Sequence, residues 1–259
     1  MERDAASHTA GKRAGRGGGA GPSRVRVLRS EPPIAWRVTG VDPHDGTVEV
    51  HTVGTAAGPL GGDHVRVGIQ VGPGAALRVR GVAASVALPG RGGAPSRTEI
   101  WVTVAEGGSL EWLPEPLVAA QGCRHDSSVH IRLAADAFLV WRDELVCGRF
   151  GEESGHLRLS IDVHRAGRPL YAHELTVGPG TGSSPGGGPA GPDVLGGARA
   201  AGSLLMVDPA WETSSPPEPR LLGPDAALMP LAGPAVLASV VAEDALTVRS
   251  LLDSVFPGA

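Results

Sequence analysis

The stretch V-R-V-G-I-Q-V-G-P-G-A-A-L-R-V, residues 65–79, decides the fold class. Val65, Val67, Ile69 and Val71 alternate with Arg66, Gly68 and Gln70. Successive side chains of an extended chain point to opposite faces, so this run has one apolar face and one wet face. Gly72-Pro73-Gly74 interrupts the run, and Leu77 and Val79 resume it. The pattern reads as two strands joined by a hairpin turn whose backbone calls for Gly72 and Gly74.

The same signature recurs on both sides. Val48 and Val50 alternate with Glu49 and His51 after Asp45-Gly46. Ile100, Val102 and Val104 alternate with Trp101 and Thr103 and end at Gly107-Gly108. Val129, Ile131 and Leu133 form a further run, and Leu157, Leu159, Ile161 and Val163 another. Strands are also expected around residues 203–207 and 235–241. No strand–helix–strand alternation is visible, and no fixed repeat length emerges. The expected fold is mainly β: a single extended, mostly antiparallel domain with few helices. One of those helices lies at the C-terminus. Asp244 is placed to cap it, Val248, Leu251, Leu252 and Val255 share one face, and Pro257-Gly258 stops it. Residues 1–23, rich in Gly, Ala, Ser and Arg, read as a disordered tail, and 24–259 as the β-rich domain. Within that domain the Gly/Pro/Ser run at 178–193 reads as a flexible loop.

Composition narrows the function classes. Net charge is −4, and the basic residues are nearly all Arg, with a single lysine at Lys12. No basic stretch is interleaved with aromatics, so nucleic-acid binding is not expected. The N-terminal charges are not followed by an apolar segment, and no run reaches the length of a membrane span; the expected location is the cytoplasm. Two cysteines, Cys123 and Cys147, do not make a disulfide framework.

Catalytic motifs are missing: there is no Walker A loop, no G-x-G-x-x-G opening a helix and no H-E-x-x-H. Cys123, His125 and His130 carry ligand types suited to nickel or zinc, without a fourth ligand at a recognisable spacing. They are weak candidates. The acids are scattered: Asp63 after Gly61-Gly62, Glu111 and Glu115 around Trp112-Leu113-Pro114, and Glu152 shortly after Gly148-Arg149. On the residues alone the chain is a β-rich protein without an enzyme's signature.

Three segments carry a resemblance. Gly58-Pro59-Leu60-Gly61-Gly62-Asp63 followed by Val71-Gly72-Pro73-Gly74-Ala75 is similar to "G-G-L-V-G-G-D … V-x-P-G-A". Leu110-Glu111-Trp112-Leu113-Pro114-Glu115 is similar to "L-E-W-L-P-Q-E", with Glu115-Pro116 replacing Gln-Glu. Residues 134–152 are similar to "A-x-A-x-L-x-W-E … L-G-R-x-x-x-G-E", with Arg142 where Glu is usual. Together they resemble the UreD (UreH) family of urease accessory proteins, over roughly residues 40–180.

The resemblance implies a non-enzymatic, β-rich scaffold that binds the helical protein UreF. That pair would recruit the GTPase UreG and dock on the urease structural subunits in a hetero-oligomer. No tightly bound cofactor is implied; nickel would be transient, crossing an internal water-filled channel. A transit path needs isolated acids that replace water without trapping the ion. Asp63, Glu111, Glu115 and Glu152 are the candidates, with Arg149 as an ion-pair partner and Gly61, Gly62, Gly148, Trp112 and Pro114 as framework. Two other readings stay open. One is a divergent β-sheet interaction module with no metal role; the other is a small metalloenzyme using Cys123, His125 and His130.

Overall fold

Each alternating run of the sequence is a strand in the computed structural model, which describes residues 3–10, 23–179 and 195–256. In chain order the strands are β1 (Arg3–Ala10), β2 (Val25–Leu28), β3 (Ile34–Val41), β4 (Val48–Gly54), β5 (His64–Val71), β6 (Ala76–Gly81), β7 (Ser85–Ala87), β8 (Ser96–Val104) and β9 (Ser109–Leu113). They continue with β10 (Leu117–Ala119), β11 (Arg124–Leu133), β12 (Phe138–Cys147), β13 (His156–Arg165), β14 (Arg168–Val177), β15 (Ala200–Val207), β16 (Arg220–Gly223), β17 (Ala226–Pro230) and β18 (Ala235–Ala242). Two α-helices stand among the described residues, α1 (Trp211–Ser214) and α2 (Ala245–Asp253).

The strands form two sheets. The 7-stranded sheet has the order β14-β13-β11-β8-β5-β1-β2. The 11-stranded sheet runs β16-β17-β18-β15-β12-β9-β6-β4-β3, with β10 beside β12 and β7 beside β10. Between β4 and β13 the chain alternates sheets, laying one strand in the 7-stranded sheet and one or two in the 11-stranded sheet at each visit. β5, β8, β11 and β13 are therefore parallel neighbours, as are β4, β6, β9 and β12. This corrects the mostly antiparallel expectation. The sheets are mixed, with antiparallel pairing concentrated toward the edges, as in β13–β14, β3–β4 and β15–β18. Parallel neighbours are usually linked through a helix, which leaves a mark in the sequence. Here the link is a strand of the opposite sheet, and it leaves none. For the same reason Gly72-Pro73-Gly74 is not a hairpin: it carries the chain from β5 in one sheet to β6 in the other, with Gly74 at φ 59°.

The parallel strands recur at similar, though not fixed, intervals. β5, β8, β11 and β13 begin at residues 64, 96, 124 and 156, that is 32, 28 and 32 residues apart. Parallel register stacks like on like. Val67, Ile100, Val129 and Ile161 make one row, and Val50, Val79, Trp112 and Trp141 the row across the second sheet. These side chains form the core between the sheets. Trp112 and Trp141 stack at 5.0 Å with planes 10° apart, and Trp36 tilts against Trp112 at 6.3 Å. An aromatic contact of this kind adds about 1 kcal/mol beyond the area it buries.

Segments of the expected tail and loop fall differently. Within the tail the backbone of Arg3–Ala10 forms β1, parallel to β5 and antiparallel to β2. The edge of β5 offers unpaired backbone groups, and the backbone of Arg3–Ala10 takes them without any apolar period of its own. The rest of the tail up to residue 22, and residues 180–194 of the loop, lie outside the described residues.

The 11-stranded sheet is covered on its other face as well. Val248 and Leu252 of α2 bury there with Val140, Leu204, Val236 and Val240. Gly202 of β15 makes room, since a Cβ at that position would stand 2.5 Å from Val248 Cγ1. Asp244 caps α2 as expected, accepting from Thr247 N at 2.8 Å.

One interruption in this sheet matters below. β12 pairs with β9 as far as Trp141↔Trp112 and with β10 from Leu145↔Leu117. Four steps along β12 face five along its neighbour. The extra residue falls in Pro114-Glu115-Pro116, whose prolines have no N–H for the ladder.

Candidate functional site

Behind that bulge the two sheets part. A cavity of about 190 Å3 lies between them, lined by Trp36, Trp112, His125, Glu115, Asp143 and Glu144 among others. A second, of about 170 Å3, is lined by Leu145, His173, Leu195 and Ser203 among others. Ser127, Asp143 and Leu159 line both, so the two spaces adjoin at a carboxylate.

Asp143 is there by strand parity: on β12, Leu139, Trp141, Asp143 and Leu145 share the inward face. Trp141 Nε1 donates to Asp143 Oδ2 at 2.7 Å. Burial raises the Asp143 carboxyl to about 6; the Trp141 bond opposes this and the neighbouring Glu144 charge adds to it. The group is thus poised to gain or lose a proton near neutrality. What surface it keeps is turned to the cavities.

His125 is buried on the opposite wall, with Nδ1 2.8 Å from Ser96 Oγ. Burial lowers its imidazole to about 4, against a weaker upward pull from Asp126, so the ring is neutral at physiological pH.

At the bulge stands a charged network. Arg142 and Glu144 are both buried, with Arg142 Nε 3.1 Å from Glu144 Oε1. Arg142 Nη2 donates to the Pro114 carbonyl at 3.0 Å, and Asp253 lies 3.5 Å from Nη1. Arg249 of α2 donates to Glu144 at 2.6 and 3.1 Å and to Glu115 at 3.3 Å through each terminal nitrogen. Burial lowers the Arg142 guanidinium from its ordinary value, and Glu144 counters that. Burial acts the same way on Arg249, but its bonds to Glu144 and Glu115 win and raise it.

The expected site residues separate. Glu115 lines the cavity, as do Trp112 and Pro114. Glu111 does not; it is held by Arg78 through two bonds, 2.5 and 3.0 Å. Asp63 caps its own turn by accepting from Leu60 N at 3.0 Å. In that turn only Gly62 has positive φ, 97°, while Gly61 is needed for close approach, since a Cβ there would stand 2.3 Å from Gly90 N. Glu152 sits in the β12–β13 loop with Arg149, bonded at 2.5 and 2.8 Å, and that pairing holds its carboxyl down near 2. Gly148 opens this loop at φ 75°.

Cys123, His125 and His130 are not brought together. Cys123 is buried with its thiol pushed up to about 11, and His130 is on the outer face of the 7-stranded sheet, stacked on Trp101 at 4.2 Å. Among the described residues no three of His, Cys, Asp and Glu form a group fit to hold a metal ion. Sequence reasoning missed Asp143 and Arg249. An acid in phase with Leu139, Trp141 and Leu145 is the signal that would have found the first. Arg142, read as a departure from the family pattern, turns out to anchor the bulge.

The pattern that defines the UreD urease accessory proteins matches residues 11–257. Among similar curated proteins, a urease accessory protein UreD of a Parafrankia species is 44% identical, the match covering 91% of this chain and 83% of the relative. The UreD of Streptomyces avermitilis is 44% identical over 92% of both chains. A UreD of Streptomyces griseus is 47% identical over 88% of this chain and 87% of its own.

Proposed function

The chain belongs to the UreD family of urease accessory proteins, with a role in urease maturation, and on that premise we propose that it is a non-enzymatic nickel conduit, passing the ion between its two sheets into apo-urease. The observation that carries this reading is the pair of adjoining cavities with Asp143 at their junction. A hydrated divalent cation crossing a protein needs groups that stand in for some of its water without closing a full ligand shell. Asp143 and the neutral His125 suit that passage. One carboxylate and one imidazole replace part of the water, and neither builds a four-ligand site.

In this reading UreF and UreG supply the ion and urease receives it, so the chain works inside a hetero-oligomer. It works in the cytoplasm, a reading supported by the two cysteines, Cys123 and Cys147, making no disulfide framework. Among the described residues no helix is long and apolar enough to cross a membrane.

The test is Asp143→Asn in cells carrying the structural and other accessory genes, grown with nickel. Urease activity and urease nickel content are expected to fall together while the accessory complex still co-purifies. Full nickel loading by the Asp143→Asn variant would sink the conduit through this junction. Full activity with the gene deleted would sink the maturation role itself.

A further inference from the structure

The bulge at Pro114-Glu115-Pro116 joins two regions that the rest of the sheet keeps apart. Glu115 and Glu144 line the cavity between the sheets. Their carboxylates are gripped by Arg249, which belongs to a helix packed on the far face of that sheet, the face to which Glu144 points by strand parity. The ladder there lacks regular pairing, so no continuous row of backbone bonds closes the gap. Side chains close it. Two guanidinium groups, Arg142 and Arg249, face three carboxylates, Glu115, Glu144 and Asp253.

The two arginines are held differently. Arg142 is rooted in β12, 1% exposed and bonded to the Pro114 carbonyl. Arg249 is 23% exposed and rides on a nine-residue helix with two buried residues, Val248 and Leu252. Elements with few buried anchors open at lower free energy than the sheet beneath them.

We propose that Arg249 is a removable plug: α2 is a lid over the gap in the 11-stranded sheet, and releasing Glu115 and Glu144 from Arg249 connects the interior cavity with the outer face. The cavity already has a mouth lined by the exposed Gly54, Ala56, Ala83 and Ser85; opening adds a second one and frees two carboxylates beside it, which makes that entrance attractive to a cation. The use of such a gate rests on the nickel-conduit reading; the opening itself stands on the geometry alone.

The test is optical and needs neither urease nor nickel. Trp36 and Trp112 line the cavity, and Trp141 stacks on Trp112. In the full chain with Trp101→Phe and Trp211→Phe, these three are the tryptophans that remain. Caesium ion then reports cation access to the cavity by quenching their fluorescence. Arg249→Met is expected to raise the quenching constant several-fold. Arg249→Lys, which keeps the charge but loses the fork, should fall between. Glu115→Gln, which cuts one of the two grips without stranding a buried charge, should raise it less than Arg249→Met and guards against misfolding of the latter. Unchanged quenching in both Arg249→Met and Glu115→Gln, with the cooperative unfolding transition intact, would make Arg249 a fixed clamp and overturn the gate. A rise in quenching with urease activation unaffected would keep the gate and cost the conduit its role.

Discussion

Strand β12 contains two regions that differ in almost everything but backbone. Its first half, Phe138–Trp141, pairs in register with β9 and presents apolar side chains to both faces. The next three residues, Arg142-Asp143-Glu144, are all ionisable, and they lie where the neighbouring strand bulges away. The first half holds the sheets together; the second keeps a space open between them. Three adjacent charges are tolerated in a buried strand because each has its own partner: Asp253 and Glu144 for Arg142, the Trp141 indole for Asp143, and Arg249 for Glu144.

The sharpest way to break this contrast is to attack the apolar half. Trp141→Ala removes a fully buried indole, the Trp112 stack and the Asp143 partner at once, and should cost about 4 kcal/mol in chemical denaturation. A cost under about 1 kcal/mol would mean that the halves are not distinct. Glu144→Gln comes next. It leaves the buried Arg142 guanidinium without its main counter-charge and should cost about 3 kcal/mol by the same measurement.

Asp143 sharpens the comparison through pH. Its folded carboxyl is raised to about 6 from an ordinary value of 3.8. The protonated form is therefore favoured by the fold. The stability it contributes is complete below the unfolded value and is lost as pH rises through the folded one, between about 4 and 6. Asp143→Asn should consequently gain about 2 kcal/mol over the natural protein at pH 8, with the gain shrinking toward pH 4. Melting curves across that window decide it; a constant difference would remove the perturbed carboxyl from the account. The smallest effect belongs to the exposed loop. Arg149→Ala breaks the pair with Glu152 in open solvent, and the midpoint of unfolding should not move measurably.

The same two regions show what a sequence reveals. Apolar alternation located β4, β5, β8, β11 and β13, and the Asp244 cap with the Val248–Leu252 face located α2. Those signals are local, since they say which side of an element meets the core. Neighbours in the sheets are not local. A strand paired with a partner some thirty residues away carries no trace of it, so parallel pairing was invisible. The site was less legible still. Glu115, Trp112 and Pro114 were placed by resemblance to a motif, and the cavity does include them. Glu111 in the same motif points to Arg78 instead, because alternate residues of a strand face opposite ways. Arg249 stands 134 residues from Glu115, a distance that only the folded chain closes.

The alternating coil also sets how the chain must fold. No strand from β5 to β13 finds its parallel partner until the chain has gone out to the other sheet and come back, about thirty residues later. Such a topology has high contact order, and loop closure precedes nearly every contact that would reward it. Each newly made turn presents a bare strand edge and an apolar row until the next turn arrives, and the last turns wait for β15, β18 and α2 to cover them. Slow folding with long-lived sticky edges follows from the winding itself, so the yield of native chain should depend on how fast it is made and on what is present to shield it meanwhile.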